Sequence, residues 1–461
     1  MAGCELLDRV SAVGTKSVIV VGGGAAGLSA VWTLKKRGVN AVLLEAENRV
    51  GGRLGGDRVD GFSLDEGADF FCSSYDVAFR VCEELGLPLI RSKMNLGWYR
   101  NGRWLRTTVI DSIGAAIRNV PVAWQLGLLS PGFLKLARAV RTRSDYQNFS
   151  SDCRITEIDG DEKFGDYLAR LGVSETLHAT LRGFLEMTMG HIENASAPYI
   201  LAYVGEMLLK ADQIYVPEQG VGALTHALAE ACGEAIRVST PARRVVIRDG
   251  VAASVITDAG PIEADVVICA VPATKVNGLI PDLPAGIRET LDKVTYSRGC
   301  RVVIGLDHPP LPPGWHGALY PEDETPLLLD RSINLPACVP PGKSTLDMLV
   351  GRGRAEELFP LDDDEIKRRM LRAARRNPPP GSALPGDEEG LFTRVYRWRE
   401  AVCMGPPGMF RAVARMRQQD REVKNLFLAG DYMRVPSVNG ALASGIGAAE
   451  QAAELLGARP S

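Results

Sequence analysis

The chain offers little from which to build a metal site. Five histidines in 461 residues form no ligand-like cluster. Nine cysteines are scattered, odd in number, and no two stand in C-x-x-C spacing. That usage suits a reducing compartment and argues against a disulfide framework or a zinc site. An excess of one charge is missing too. Lys and Arg total 53 against 56 Asp and Glu, a net charge of −3 that gives no reason to expect nucleic acid as a partner. Long apolar runs are scarce. The opening MAGCELLDRVSAVGTK is too polar for a signal peptide. The uncharged window from Ser17 to Leu34 holds a run of glycines and reads as strand, turn and helix rather than a membrane span. A cytoplasmic location is therefore the default expectation. Hydrophobic residues at 46% and charged residues at 24% are ordinary for a globular protein. A length of 461 residues exceeds what one core supports, so two domains, interleaved, are expected.

What is present is concentrated between residues 17 and 53. Val18 to Val21 is an apolar, β-branched run of the length of a buried parallel strand. Gly22, Gly24 and Gly27 follow as G-x-G-x-x-G, with Ala25 and Ala26 between them. Leu28 to Arg37 has helical composition, and Gly38 ends it. Val39 to Leu44 is a second strand, finishing on Glu45 and Ala46. Gly22 permits the tight turn, Gly24 lets the backbone approach a pyrophosphate, and Gly27 lets the helix pack near the strand. The helix N-terminus at Ala25 and Ala26 faces the phosphates with unpaired N–H groups and a positive dipole end. Glu45 can accept hydrogen bonds from ribose hydroxyls and would repel a 2′-phosphate, which disfavours NADP.

Arg49, Gly51, Gly52 and Arg53 come next. The order G-x-G-x-x-G, strand-end Glu, then R-x-G-G-R resembles the flavin-containing amine oxidase, protoporphyrinogen oxidase and phytoene desaturase superfamily. Three further elements carry the resemblance. Asp65-Glu66-Gly67-Ala68 is similar to the D-x-G-A element beside the flavin. Ala264 to Pro272 resembles A-D-x-V-I-x-A-x-P. Ala429-Gly430-Asp431, followed by Asn439-Gly440-Ala441 and Ser444-Gly445, is similar to the carboxy-terminal flavin signature. The resemblance implies FAD, bound non-covalently. Its contacts would be Gly22, Gly24, Ala25, Ala26, Gly27, Glu45, Ala46, Arg53, Gly67, Ala68, Ala242, Gly430, Asp431, Gly440 and Ala441. Arg53 would neutralise the pyrophosphate and Asp431 would bond the ribityl chain. Gly440 and Ala441 would open a helix facing the flavin pyrimidine ring, and Ala242 would contact adenine through its backbone.

The implied fold class is α/β: a Rossmann-type, GR2-like FAD-binding domain interleaved with an α+β substrate-binding domain. Residues 15–75, 210–290 and 420–458 are expected to form the first, and 76–209 and 291–419 the second. Within the second, Asp76 to Leu85 and Lys163 to Leu171 have helical periodicity, and Trp98 to Trp104 reads as a hairpin turning at Asn101-Gly102. Leu361 to Arg376 reads as a solvated helix, acidic at its start and basic at its end. The apolar segment from Ser112 to Arg143, with Lys135, Arg138 and Arg141 or Arg143 at near-helical spacing, admits two readings. One is peripheral membrane contact; the other, preferred, is core helices with solvated basic faces.

The resemblance also bears on chemistry. Amine oxidases place a Lys on the strand that here carries Cys300-Arg301-Val302-Val303, with Arg301 at the Lys position, where it can steer a substrate carboxylate, hold a water, or be a strand-edge charge. Their aromatic cage is absent: Ser437 stands at one cage position, and no aromatic follows Trp398 before Phe410. Trp398-x-x-Ala401 through Gly408 is more similar to protoporphyrinogen oxidases and carotenoid desaturases. These features imply dehydrogenation of a hydrophobic or polycyclic small molecule by hydride transfer to flavin N5, with oxygen or a quinone as electron acceptor. The alternatives are an amine or amino-acid oxidase of the same fold, a redox-neutral flavin-dependent isomerase, and a non-catalytic FAD-binding protein. No nucleic acid partner is expected, and nothing bears on oligomeric state.

Overall fold

The computed structural model describes residues 17–92, 95–100, 102–108, 124, 127–128, 130–142, 151, 153–189, 191–209, 214–320, 327–418 and 422–458. The chain divides into two compact units. One comprises Met1–Gly55, Leu224–Val294 and Ala412–Ser461; the other comprises Gly56–Ala223 and Thr295–Arg411. The class is α/β, as expected from the motif order. Residues 56–75, which carry the D-x-G-A element, belong to the second unit.

The first unit is built on a five-stranded parallel sheet. Its order runs Ile236–Arg237, Asn40–Leu44, Ser17–Val21, Val266–Cys269, Leu426–Leu428. Ser17–Val21 is buried along its whole length, which explains its unbroken apolar run: both faces of a parallel strand are covered. The helix Ala25–Lys36 starts after three intervening residues and ends with Lys35 and Lys36, which complement its dipole. The helix Val438–Leu455 lies against it so closely that a Cβ at Gly445 would come within 2.0 Å of the Ala26 carbonyl oxygen. Ser29 Oγ donates across this contact to the Leu442 carbonyl at 3.1 Å. Small residues therefore bring the two ends of the chain backbone to backbone. A three-stranded antiparallel sheet, Ala242–Arg248, Val251–Thr257 and Gly260–Glu263, completes the unit.

The second unit contains a seven-stranded mixed sheet, ordered Phe392–Cys403, Tyr296–Leu306, Ser344–Gly351, Leu327–Asp330, Gly317–Leu319, Asn95–Arg100, Arg103–Thr108. The last two strands form the expected hairpin, with Arg100 opposite Arg103. Cys300, Val302, Ile304, Leu346, Met348 and Val350 point to one face. There they pack against Ile366, Met370, Leu371 and Ala374 of the helix Asp363–Arg376. That helix is not solvated all round: every third or fourth residue is core, while its acidic start and basic end stay outside. Asp362 caps it, accepting from the Glu365 amide at 2.7 Å.

The Pro131–Thr142 helix buries Leu136 and Val140, exposes Lys135, Arg138 and Arg141, and leaves Leu134 69% exposed. Trp124 is 70% exposed. Arg143 and most of 109–129 lie outside the described residues. Among the described residues, no helix is long and apolar enough to cross a membrane.

Candidate functional site

The glycine turn of the first unit is a cradle of backbone. Gly22 adopts φ +103°, a conformation that L side chains rarely reach. A Cβ at Gly27 would lie 1.8 Å from the Gly22 carbonyl oxygen, so only glycine lets the helix begin so close to the strand. A Cβ at Gly24 would meet nothing within 4 Å, and no side chain caps the helix that Gly24 starts. Open space lies directly before an uncapped helix end whose first amide groups have no partner along the helix. Gly24 also bridges to Gly51 of the second glycine pair. The Gly51 loop is held in turn by Thr225, whose Oγ1 donates to the Leu54 carbonyl at 2.7 Å.

Glu45 stands where the sequence places it, at the strand end. Its carboxylate accepts from the Gly23 amide at 2.6 Å and the Glu47 amide at 2.8 Å. Two backbone donors fix its orientation and leave lone pairs for further hydroxyl groups. Ala46 follows it at the surface, and Thr240 donates its amide to the Glu45 carbonyl at 2.7 Å, bringing the start of the Ala242–Arg248 strand alongside.

Arg53 and Asp431 form a two-point ion pair, at 2.7 and 3.1 Å. Distant in sequence, they meet as a neutral pair rather than as separate charges. Gly430 donates its amide to Ser444 Oγ at 2.9 Å. At the start of the Val438–Leu455 helix, Gly440 donates to Ser437 Oγ at 2.9 Å and Ala441 to the Ser437 carbonyl at 3.0 Å. Ser437, at the position where amine oxidases carry a cage aromatic, is thus the helix cap. The Gly440 and Ala441 amides are used internally. Gly440 earns its place sterically: a Cβ there would lie 2.1 Å from the Val435 carbonyl oxygen.

The second unit holds Gly67 and Ala68, half-buried, just after the Phe62–Asp65 strand. It also holds a chain of buried charges. Arg301 lies on the interior strand Tyr296–Leu306, flanked on both sides by neighbours, and is 2% exposed. The strand-edge reading of Arg301 is therefore wrong. Its Nη1 donates to Asp69 Oδ1 at 2.7 Å and its Nη2 to Asp347 Oδ2 at 2.5 Å. Asp347 Oδ2 also accepts from Arg331 Nη2 at 3.0 Å, and Arg331 Nη1 donates to Asp65 Oδ2 at 2.8 Å. Asp65 Oδ1 accepts from the Gly222 amide at 2.9 Å. Burial alone would raise the Asp347 carboxyl, but Arg331 and Arg301 outweigh it and hold it below its ordinary value. Burial raises the Asp69 carboxyl in spite of Arg301 and Arg331. The network pins the D-x-G-A loop to the sheet at Asp65 and Asp69, and Trp398 Nε1 adds a third point by donating to the Glu66 carbonyl at 3.0 Å.

Sequence motifs pointed to Asp65 and Arg301, but not to Asp69, Arg331 or Asp347. Nothing local marks those three: they stand on a loop, a short helix and a strand, and only the folded chain joins them.

A glycine turn on a parallel sheet, a strand-end Glu and a carboxy-terminal helix packed on the helix that follows the turn define a dinucleotide-binding protein. The family model described as flavin containing amine oxidoreductase matches residues 25–453, and the chain belongs to that family. It is 28% identical over 417 residues to a Mycobacterium tuberculosis protein provisionally named flavin-containing monoamine oxidase AofH, covering 85% of each chain. It is 33% identical over 140 residues to protoporphyrinogen oxidase 2 of Arabidopsis thaliana, covering 28% of this chain and 27% of that one. Its fold is similar to a crystal structure from Exiguobacterium sp. 255-15, provisionally named protoporphyrinogen oxidase, with a TM-score of 0.74 and 22% identity over 94% of this chain and 98% of that one.

The protein is accordingly an FAD-dependent oxidoreductase acting on a small molecule, with FAD held non-covalently. The residues fit that cofactor. The open space at Gly24, the uncapped helix and the fixed carboxylate of Glu45 suit a pyrophosphate and a ribose.

Proposed function

We propose that the chain dehydrogenates a hydrophobic or polycyclic small molecule, at a C–H/C–H or C–H/N–H pair. Bound FAD supplies the hydride acceptor, N5, and oxygen or a quinone takes the electrons afterwards. Gly24 and the Ala25–Lys36 helix N-terminus would bind the phosphates, and Glu45 the ribose. The observation that carries the substrate reading is the fate of two positions. Arg301, at the site of the amine-oxidase lysine, is tied to two carboxylates, and Ser437, at a cage position, is a helix cap. Neither does what a simple amine oxidase asks of it. Trp398 is likewise engaged with the loop that carries Gly67 and Ala68.

Amine or amino-acid oxidation is the second reading, favoured by the extent of the match to the AofH-named protein. Anaerobic mixing of the purified flavoprotein with a reduced tetrapyrrole and with a panel of primary amines separates the two. Flavin bleaching by the polycycle and not by the amines is expected; bleaching by simple amines alone would sink the substrate reading. Conversion only after prior flavin reduction would indicate the isomerase. The exposed Trp124 and Leu134 beside Lys135 and Arg138 leave peripheral membrane contact as a subsidiary proposal. Liposome binding unchanged after neutralising Lys135, Arg138 and Arg141 would remove it.

A further inference from the structure

We propose that Asp69 is a substrate-anchoring carboxylate that selects a nitrogen bearing a hydrogen, either an ammonium or a neutral pyrrole-type N–H. The inference deepens the proposed function and rests on it in taking the ligand to be the enzyme's substrate.

The argument is one of charge and hydrogen-bond accounting. The network runs in a line: Gly222 amide, Asp65, Arg331, Asp347, Arg301, Asp69. Along it, the carboxylates of Asp65, Asp347 and Asp69 outnumber the guanidinium groups of Arg331 and Arg301 by one. The interior members are saturated. Asp347 accepts from both arginines and from Thr345 Oγ1 at 2.6 Å; Asp65 accepts from Arg331 and from a backbone amide. The excess negative charge therefore falls at the open end.

Asp69 is that end. Its side chain is 17% exposed where those of Asp65 and Asp347 are 2% and 1%. Arg301 holds Oδ1, and Oδ2 has no hydrogen-bond partner among the described residues. Arg301 Nε is buried and has no acceptor among the described residues, so the guanidinium relies on Asp69 and Asp347 for its carboxylate partners. A ligand presenting an N–H to Asp69 Oδ2 would cap the network and, if charged, neutralise it.

The strand beside Arg301 carries two aromatic residues. Tyr396 lies directly across the ladder from Arg301, and Trp398 is two residues further along the same face. Both are half-buried. The charged groups that act on Asp69 are Arg301, Arg331, Asp65 and Asp347.

Burial raises the Asp69 carboxyl above its ordinary 3.8, helped by Asp65 and Asp347 and opposed by Arg301 and Arg331. Two consequences follow with definite signs. Between the ordinary and the raised value the folded state binds more protons than the unfolded one, so this group makes stability fall as pH rises through that window. An N–H ligand needs the carboxylate, so its affinity rises with pH through the same titration.

The test uses the FAD-loaded protein and Asp69→Asn. Two probes are titrated across the acid-to-neutral range and followed by the flavin spectrum and by calorimetry. One is 2-phenylpropan-2-amine, an ammonium with no hydrogen on the carbon beside nitrogen; the other is indole, a neutral N–H. Wild type is expected to bind one of them with affinity that rises with pH. Asp69→Asn should weaken that binding roughly ten-fold or more and flatten its pH dependence. Loss confined to the amine identifies an ammonium; loss for indole identifies a neutral N–H. Binding unchanged in Asp69→Asn, or no binding of either probe to wild type, overturns the inference. A wild-type protein that takes up no flavin would instead overturn the proposed function.

Discussion

The glycine turn of the first unit and the charge chain of the second handle charge in opposite ways. The turn has almost no side chains. It presents amide groups and a helix end, and it works because Gly22 and Gly27 let backbone come close to backbone while Gly24 leaves the space before the helix open. The charge chain is all side chain: five ionised groups from four segments, buried on one face of a sheet. A backbone site is robust to its surroundings, because its donors are fixed by the turn itself. A buried ionic site depends on every partner, because removing one leaves another charged and dry.

That contrast can be broken from either side. The largest effect is expected at Asp347, which accepts from both arginines. Asp347→Ala should cost about 3–5 kcal/mol in denaturant unfolding; a loss under about 1 kcal/mol, as at a surface pair, would show the network to be solvated. Because the Asp347 carboxyl is held below its ordinary value, its stabilisation is present above that value and lost as pH falls through the lowered one. The slope of stability against acid pH should therefore shrink in the variant.

Next come the close approaches of the first unit. Gly27→Ala places a Cβ 1.8 Å from the Gly22 carbonyl oxygen, and Gly445→Ala places one 2.0 Å from the Ala26 carbonyl oxygen. Neither neighbour is a flexible side-chain end, so each should cost about 1–3 kcal/mol or more. Flavin content after purification should drop in both, and full retention by either variant would contradict the tight packing of the turn.

Glu45→Ala removes a carboxylate that receives two backbone amides. It should weaken FAD retention by about 1.5–3 kcal/mol, read from flavin release on dialysis. Unchanged retention would mean that the ribose is held elsewhere. The smallest effect belongs to Ser437→Ala, which deletes a helix cap and should lower stability by about 1 kcal/mol with little change in flavin content. A large change in turnover instead would return Ser437 to the substrate.

How far each region could be read in advance follows from the same difference. Residues 17–53 were legible because strand, turn and helix are encoded within reach of one another, and at Gly22 and Gly27 the alternatives to glycine are excluded by sterics. The terminal Ala429–Gly445 signature was legible as a pattern. Its internal logic was not: Gly440 and Ala441 satisfy the helix cap, and Arg53 and Asp431 neutralise each other, which their separation in sequence conceals. The helix Asp363–Arg376 looked solvated because its charges cluster at the ends. Packing of Ile366, Met370 and Ala374 on the sheet decided otherwise.

Turn chemistry and the strand-end acid were enough to settle a dinucleotide fold, because local sterics and helix-end electrostatics act over a few residues, and the terminal Ala429–Gly445 signature directed it toward FAD. The neighbours of Arg301 were settled only by the folded chain. Whether a buried guanidinium is a substrate ligand or one link in an ionic chain depends on which carboxylates the sheet register brings within about 3 Å. That register is a property of strands far apart in sequence.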